Sequence, residues 1–276
     1  MLQIVTNSTS SLPIGLTECR TLFPSIDCHR IALRLSGRKI VVTGASKGLG
    51  KALAERFARE GAHLALCARN ADTLEQVAKE VREIGTPVVW QTCDIGNPSD
   101  VESFVKAVVD EFDVIDVLVN NASTIVERKD LASYAVAEWE EVIRVNVNGL
   151  FYLTHAVLPH MMKRKSGSII NVSSSVGRAA RAQWGAYAVS KYALEGLTQL
   201  LTEELRPFNI AVNSVNPGPM ATAMRRVVHP DEDQNQLRKP ELVTELFVYL
   251  ASEDGAGISG QAFDASSYIA KPQGQS

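Results

Sequence analysis

The stretch "YAVSK" places Tyr187 and Lys191 four residues apart. On a helix that spacing puts both side chains on one face. An ammonium beside a phenol favours the phenolate, so the pair is expected to draw the tyrosine pKa down from about 10 toward working pH. Tyr187 then becomes a usable proton donor to a carbonyl oxygen. Upstream, "NVSSSVG" ends an apolar run with Ser173, Ser174 and Ser175. A hydroxyl there is placed to donate a hydrogen bond to the same oxygen, although a turn that bonds its own backbone accounts for the run equally. Asn146, in "IRVNVNGLF", is a polar residue inside a helical pattern. It reads either as an ordinary helix position or as a side chain that holds backbone or a water.

A second constellation is "VTGASKGLG", where an apolar run meets a helical pattern through Gly44, Ser46, Lys47, Gly48, Leu49 and Gly50. A helix N-terminus presents unpaired N–H groups and a partial positive charge, so it can hold a phosphate. Gly44 permits a sharp turn, Gly48 lets a pyrophosphate approach the backbone, and Gly50 lets the helix pack near the strand. The spacing is G-x-x-x-G-x-G, not the G-x-G-x-x-G of the common dinucleotide fingerprint, and a merely structural turn remains an alternative. Lys47 lies within the turn, and Arg69 follows the next strand, where dinucleotide folds read the adenosine ribose. A cation there suits a 2′-phosphate, and Ala68 brings no carboxylate to repel it.

Apolar runs that alternate with helical patterns must position these groups. Strands are expected at 39–44, 63–68, 87–93, 114–120, 167–174 and 210–218, with a short last one in 260–265. Helices are expected after Gly48 up to Gly61, from a capping Asp72 to Gly85, over 97–112, over about 137–162, from 187 to Pro207, and over 240–252. This alternation argues for α/β architecture, one parallel sheet covered on both faces. One domain, 37–268, accounts for it. Residues 1–36 read as an extension, either a flexible arm or an organelle address, and 269–276 as a tail.

The 276 residues carry 28 basic and 31 acidic side chains, a formal charge of -3. That balance gives no pull toward nucleic acid or anionic lipid, and no apolar run reaches the roughly 18 residues of a membrane helix. Cys19, Cys28, Cys67 and Cys93 form no C-x-x-C pair, so small buried thiols are expected and no metal site. A cytoplasmic location is the expectation, with an address in 1–36 left open.

Taken in order, these motifs resemble those of the short-chain dehydrogenase/reductase family, over nearly all of 38–265 and in the manner of an NADP(H)-preferring, carbonyl reductase-like member. "TGASKGLG" resembles the cofactor turn, "CDI" the adenine segment, "NNA" the strand-four motif, and "NVNG", "NVSSSVG" and "YAVSK" the Asn, Ser and Tyr/Lys elements; "NPGPMAT" resembles the segment near the nicotinamide. The resemblance implies a Rossmann-like doubly wound fold, with Ser174, thirteen before Tyr187, polarising the carbonyl and Tyr187 transferring the proton. It further implies that Lys191 lowers the Tyr187 pKa and binds the nicotinamide ribose, and that Asn146 holds a water linking Lys191 to solvent. Asp94 and Ile95 would flank the adenine, Asn121 and Ala122 the ribose side, and Pro217, Gly218 and Thr222 the nicotinamide.

The activity implied is NADPH-dependent reduction of an aldehyde or ketone, or the reverse, in a homotetramer or dimer. The alternatives are a non-catalytic NADP(H)-binding sensor or scaffold, and an epimerase on the same fold. Ser123 stands where the family usually has glycine, and "FDASS" where "VDGG" is typical; neither is expected to touch the proton or hydride path. Trp184 and Gln183 are assigned to the substrate pocket. Arg178 and Arg181 are read either as attracting an acidic group or as solvated, and 223–239 as a lid.

Overall fold

The computed structural model describes residues 33–268. Residues 1–32 of the expected extension, the tail 269–276, Cys19 and Cys28 lie outside them. Seven strands form one parallel sheet: β1 (Lys39–Thr43), β2 (His63–Ala68), β3 (Val88–Thr92), β4 (Val117–Asn120), β5 (Gly167–Val172), β6 (Ile210–Asn216) and β7 (Ala262–Asp264). Their order is β3-β2-β1-β4-β5-β6-β7, so the chain reverses direction of travel across the sheet between β1 and β4. Open α/β sheets bind ligands at such a switch point, outside the carboxyl ends of the strands.

Successive side chains on a strand point to opposite faces, and each face has its own core. Ile40, Val42, Leu64 and Leu66 pack with Leu53 and Phe57 of helix α1 (Gly48–Arg59) and Val77 of α2 (Ala71–Glu83), together with Phe247 of α8 (Glu245–Ala251). Val41, Ala65 and Leu118 pack on the other face with Phe104 of α3 (Pro98–Phe112), Leu153 of α5 (Gly149–Arg164), and Leu201 of α6 (Gly185–Leu205). Near-continuous apolar strands are what two covered faces require. Among the described residues no helix is long and apolar enough to cross a membrane.

Several boundaries differ from the sequence reading; β4, for example, starts at Val117 and not at 114. Helix α2 is capped by Asn70, whose side chain accepts from the Thr73 N–H at 2.9 Å, and Asp72 lies inside the first turn. The expected helix over 137–162 consists of α4 (Val136–Ile143), a π-helical turn Arg144–Asn148, and α5. That extra residue per turn sits where Gly149 presses on Ile95: a Cβ at Gly149 would come within 2.8 Å of the Ile95 side chain. The expected helix over 240–252 begins as a 3₁₀ turn, Pro240–Val243, and becomes α8 only after Thr244.

The first turn is held to the fourth strand by short contacts. Gly44 has φ +63, and a Cβ there would lie 2.9 Å from the Ala122 Cα. A Cβ on Gly50 would lie 2.2 Å from the Gly44 carbonyl oxygen and 2.6 Å from Asn121 Nδ2. Gly50→Ala is therefore expected to cost ~1–3 kcal/mol, read as a lower urea midpoint; an unchanged midpoint would show that α1 can withdraw freely.

Candidate active site

A cleft of about 1140 Å³ opens along the carboxyl ends of the strands. Gly44, Ser46, Lys47, Gly48 and Leu49 line it after β1, with Arg69 after β2 and Asp94 and Ile95 after β3. Asn121 and Ala122 line it after β4, Ser174 after β5, and Pro217, Gly218 and Thr222 after β6. Tyr187, Lys191 and Trp184 enter it from α6 and its leading edge. Three expected residues do not line it: Gly50, Asn146 and Gln183. Gly50 acts through packing, as described above. Gln183 is turned away by a left-handed backbone, φ +70, and its Oε1 accepts from Arg128 at 3.3 Å.

Asn146 is 4% exposed in the π-helical turn. Its Oδ1 accepts from the Thr124 N–H at 2.8 Å, and its Nδ2 donates to the Thr124 carbonyl at 2.9 Å and to Ser190 Oγ at 3.0 Å. Both amide donors are spent, so the side chain ties the loop after β4 to α6.

The Tyr187 phenol is buried, and burial pushes its pKa up to about 12; the Ser174 hydroxyl opposes this by favouring the phenolate. The direction is thus opposite to the lowering expected from Lys191. The reason is geometric as well as dielectric. The Lys191 ammonium lies over the Tyr187 ring, 5.5 Å from its centroid, and donates to the Val172 carbonyl at 2.8 Å. Burial also draws Lys191 down to about 8, against the attraction of Glu195 one turn on.

Glu195 is itself 9% exposed. Its carboxylate accepts from Ser173 and Ser214 at 2.6 Å each and from Arg178 Nε at 2.9 Å. Arg178 also donates to the Phe263 carbonyl at 3.1 Å and to Asp264 at 3.3 Å, so it is structural and not a cleft residue. Asp264 accepts from Asn216 Nδ2 at 2.6 Å, and Asn216 Oδ1 in turn accepts from the Gly218 N–H at 3.1 Å. The "FDASS" end is therefore coupled to the cleft, and Ser266 lines it. Ser123 lines it too, with a buried hydroxyl that has no partner among the described residues. Both departures thus border the cleft.

The nucleotide end is equally specific. Lys47 is the N-cap of α1 with no side-chain cap, which leaves the leading N–H groups of the helix open. Asn121 Nδ2 donates to the Thr43 carbonyl at 2.7 Å, while the Asn121 and Ala122 N–H groups donate to Thr43 Oγ1. Burial raises the Asp94 carboxyl, but Arg144 and the Gly96 N–H outweigh it and hold the group below the usual carboxylate range. Cys67 and Cys93 are buried, free thiols on the cleft wall; a hydrogen bond to Cys93 and burial push Cys67 well up, which keeps it an unreactive thiol. No metal-ligating cluster occurs among the described residues.

Sequence reading missed Asn70, Ser123, Arg128, His229 and Ser266 as cleft residues. Asn70 alone had a local signal, a capping side chain three residues before Thr73.

An open parallel sheet with a glycine turn at its switch point and a Ser/Tyr/Lys group at the end of β5 defines a nucleotide-dependent oxidoreductase architecture. A family model described as short chain dehydrogenase matches residues 38–233. The chain belongs to the short chain dehydrogenase family. It is 37% identical to the Escherichia coli K12 oxidoreductase YciK, over 84% of this chain and 92% of that protein. It is 34% identical to the 3-oxoacyl-[acyl-carrier-protein] reductase FabG of Thermotoga maritima, over 83% and 96%. A Shigella flexneri short chain dehydrogenase crystallised with NADP superposes with a TM-score of 0.82 at 36% identity, covering 85% of this chain and 99% of that one.

The buried lysine has a pH signature. Its folded pKa, about 8, lies below the ordinary value of 10.5. Between the two the unfolded chain binds more protons, so stability rises with pH in that window. Below pH 8 the full penalty of the buried charge is present. Compared with Lys191→Met, the wild-type chain is expected to gain on the order of 2 kcal/mol between pH 8 and 10 in urea unfolding; parallel profiles would refute the depressed value.

Proposed function

We propose that this chain is an NADPH-dependent reductase of aldehydes or ketones, running the reverse alcohol oxidation when product dominates. The observation that carries the reading is the meeting of Ser174, Tyr187 and Lys191 at the end of β5, in the same cleft as the glycine turn. The residues present fit a dinucleotide. The open α1 N-terminus and the bare Gly48 suit a pyrophosphate, and the unpartnered Ser123 hydroxyl offers a hydrogen-bonding group to a ligand. Lys47 and Arg69 favour a 2′-phosphate. The ion pair Arg69 makes among the described residues is an exposed 3.4 Å contact to Glu141, weak enough to be exchanged for a phosphate. The NADP-bound Shigella relative supports that choice.

When bound, the cofactor supplies the hydride. The protein supplies the proton and holds the oxygen. A phenol with a pKa near 12 keeps its proton at neutral pH, so Tyr187 is the acid that meets the developing alkoxide, with the Ser174 hydroxyl donating to the same oxygen. As the phenolate forms, the Lys191 ammonium and Ser174 hold its charge. The donors exist before reaction and need little reorganisation. Asn146 positions α6 through Ser190 and the loop after β4 through Thr124.

Assembly as a homo-oligomer fits the exposed apolar side chains on two of the helices that cover one sheet face: Phe151 on α5 and Val189, Tyr192 and Leu200 on α6, each about half exposed. A second copy of the chain is the proposed occupant of that surface. Light scattering is expected to give a dimer or tetramer, and Phe151→Asp with Tyr192→Asp a smaller species; a monomeric wild type would refute this assignment.

Tyr187→Phe is expected to lower kcat by about 100- to 10,000-fold on any carbonyl the wild type reduces, with NADPH still bound. Lys47→Ala with Arg69→Ala is expected to raise the KM for NADPH about tenfold or more and to narrow its advantage over NADH. Full turnover in Tyr187→Phe would overturn the proton-donor role.

A further inference from the structure

The cleft carries more positive charge than the proposed cofactor accounts for. Its lining includes seven lysines and arginines and a single carboxylate, Asp94. Asp94 is paired with Arg144 at 2.8 Å. Lys47 and Arg69 lie at the nucleotide end, Lys191 has Glu195 one turn away, and Arg225 is clasped by Glu232 at 2.6 and 2.7 Å. That leaves Arg128, Arg181 and Arg226 lining the cleft with no ion pair among the described residues.

Arg128 is held at a defined place. Its guanidinium lies over the Trp184 ring, 5.8 Å from the centroid, and donates to Gln183 Oε1. Trp184 is 5.9 Å from the Tyr187 ring and 6.1 Å from His229, centroid to centroid. Ile125 and Trp184 pack against the buried cluster of Val176, Tyr187 and Ala188. The order outward from the phenol is thus an aromatic and aliphatic wall, then a guanidinium stacked on that wall. Burial, Arg225 and Arg128 lower the His229 pKa, so the imidazole adds little charge at neutral pH. The cationic group beside this wall is Arg128, an exposed side chain at the cleft.

We infer that the substrate is an anionic carbonyl compound: its carbonyl sits at Tyr187, a short apolar spacer lies along Trp184 and Ile125, and a carboxylate or phosphate is met by Arg128, with Arg181 and Arg226 supplying the field at the mouth. Arginine suits this because its planar fork pairs with either anion while its face stays on the indole. A cleft of one charge sign also concentrates an oppositely charged substrate before it binds. This inference rests on the carbonyl-reductase reading of the site.

The test uses the full chain with NADPH and matched pairs: 4-oxopentanoate against its methyl ester, and 1-hydroxybutan-2-one with and without a phosphate ester. At least one anion is expected to exceed its neutral partner about tenfold in kcat/KM, mostly through KM, and added salt should shrink the ratio. The two pairs decide between carboxylate and phosphate. Arg128→Gln is expected to bring acid and neutral partner together, Arg128→Lys to restore part of the gap, and Arg206→Gln, on a distant exposed turn, to leave the ratio intact. A ratio near one for both pairs, or a preference that survives in Arg128→Gln, overturns the proposal. If no carbonyl is reduced, calorimetric titration of 4-oxopentanoate and the phosphate ester separates the two ideas. Binding that Arg128→Gln abolishes upholds the anion site and removes the reductase reading; no binding removes the anion site.

Discussion

Burying the Lys191 ammonium is the constraint around which the rest of the cleft is arranged. A buried ammonium unpaired in protein would lose its proton, and Lys191, 4% exposed, already sits near a pKa of 8. Glu195 keeps it from falling further, but a buried carboxylate has its own cost and needs its lone pairs satisfied. Ser173, Ser214 and Arg178 do that. Arg178 in turn requires acceptors, and it finds them in Phe263 and Asp264 of β7. Through Asp264 the chain of requirements reaches Asn216 and Gly218, so a charge on α6 determines how the carboxyl ends of β5, β6 and β7 are spaced.

A second, purely steric constraint places the opposite wall. The contacts of Gly44 with Ala122 and of Gly50 with Gly44 leave no room for side chains, so α1 and the ends of β1 and β4 form one rigid unit. Asn121 closes it by spending its amide on Thr43 and Gly44. The cleft is therefore bounded on one side by backbone packed to contact and on the other by a charge network. The π-helical turn at Asn146 spans the two: Thr124 belongs to the loop after β4, and Ser190 belongs to α6.

Features with a local cause were legible in the sequence. The alternation of strands and helices, the glycine turn and the Tyr/Lys spacing follow from periodicity and from residues near one another in the chain. The parts that escaped depend on partners far apart in sequence. Asn146 reads as an ordinary helix position because its partners, Thr124 and Ser190, lie far away in the chain. Arg178 reads as a candidate for the pocket because Glu195 and Asp264 are invisible from its neighbours. Gln183 and Trp184 are adjacent, yet one backbone in the left-handed region sends one outward and leaves the other in the cleft. Asp72 and Asn70 are equally good caps on propensity, and only the backbone geometry chooses Asn70.

The Tyr187 pKa shows why a pairwise reading of residues can give the wrong sign. Four-residue spacing brings the ammonium near the ring, and in water that would favour phenolate. Here the same fold that brings them together also removes solvent from both, and desolvation opposes the charged form of each: the phenol rises and the ammonium falls. Because the two shifts run toward neutrality, the pair resists becoming phenolate and ammonium. In the proposed reduction, Tyr187 would therefore keep its proton until charge develops at the substrate oxygen, and Ser174 and Lys191 would matter most at that moment, when the charge they are placed to receive first appears.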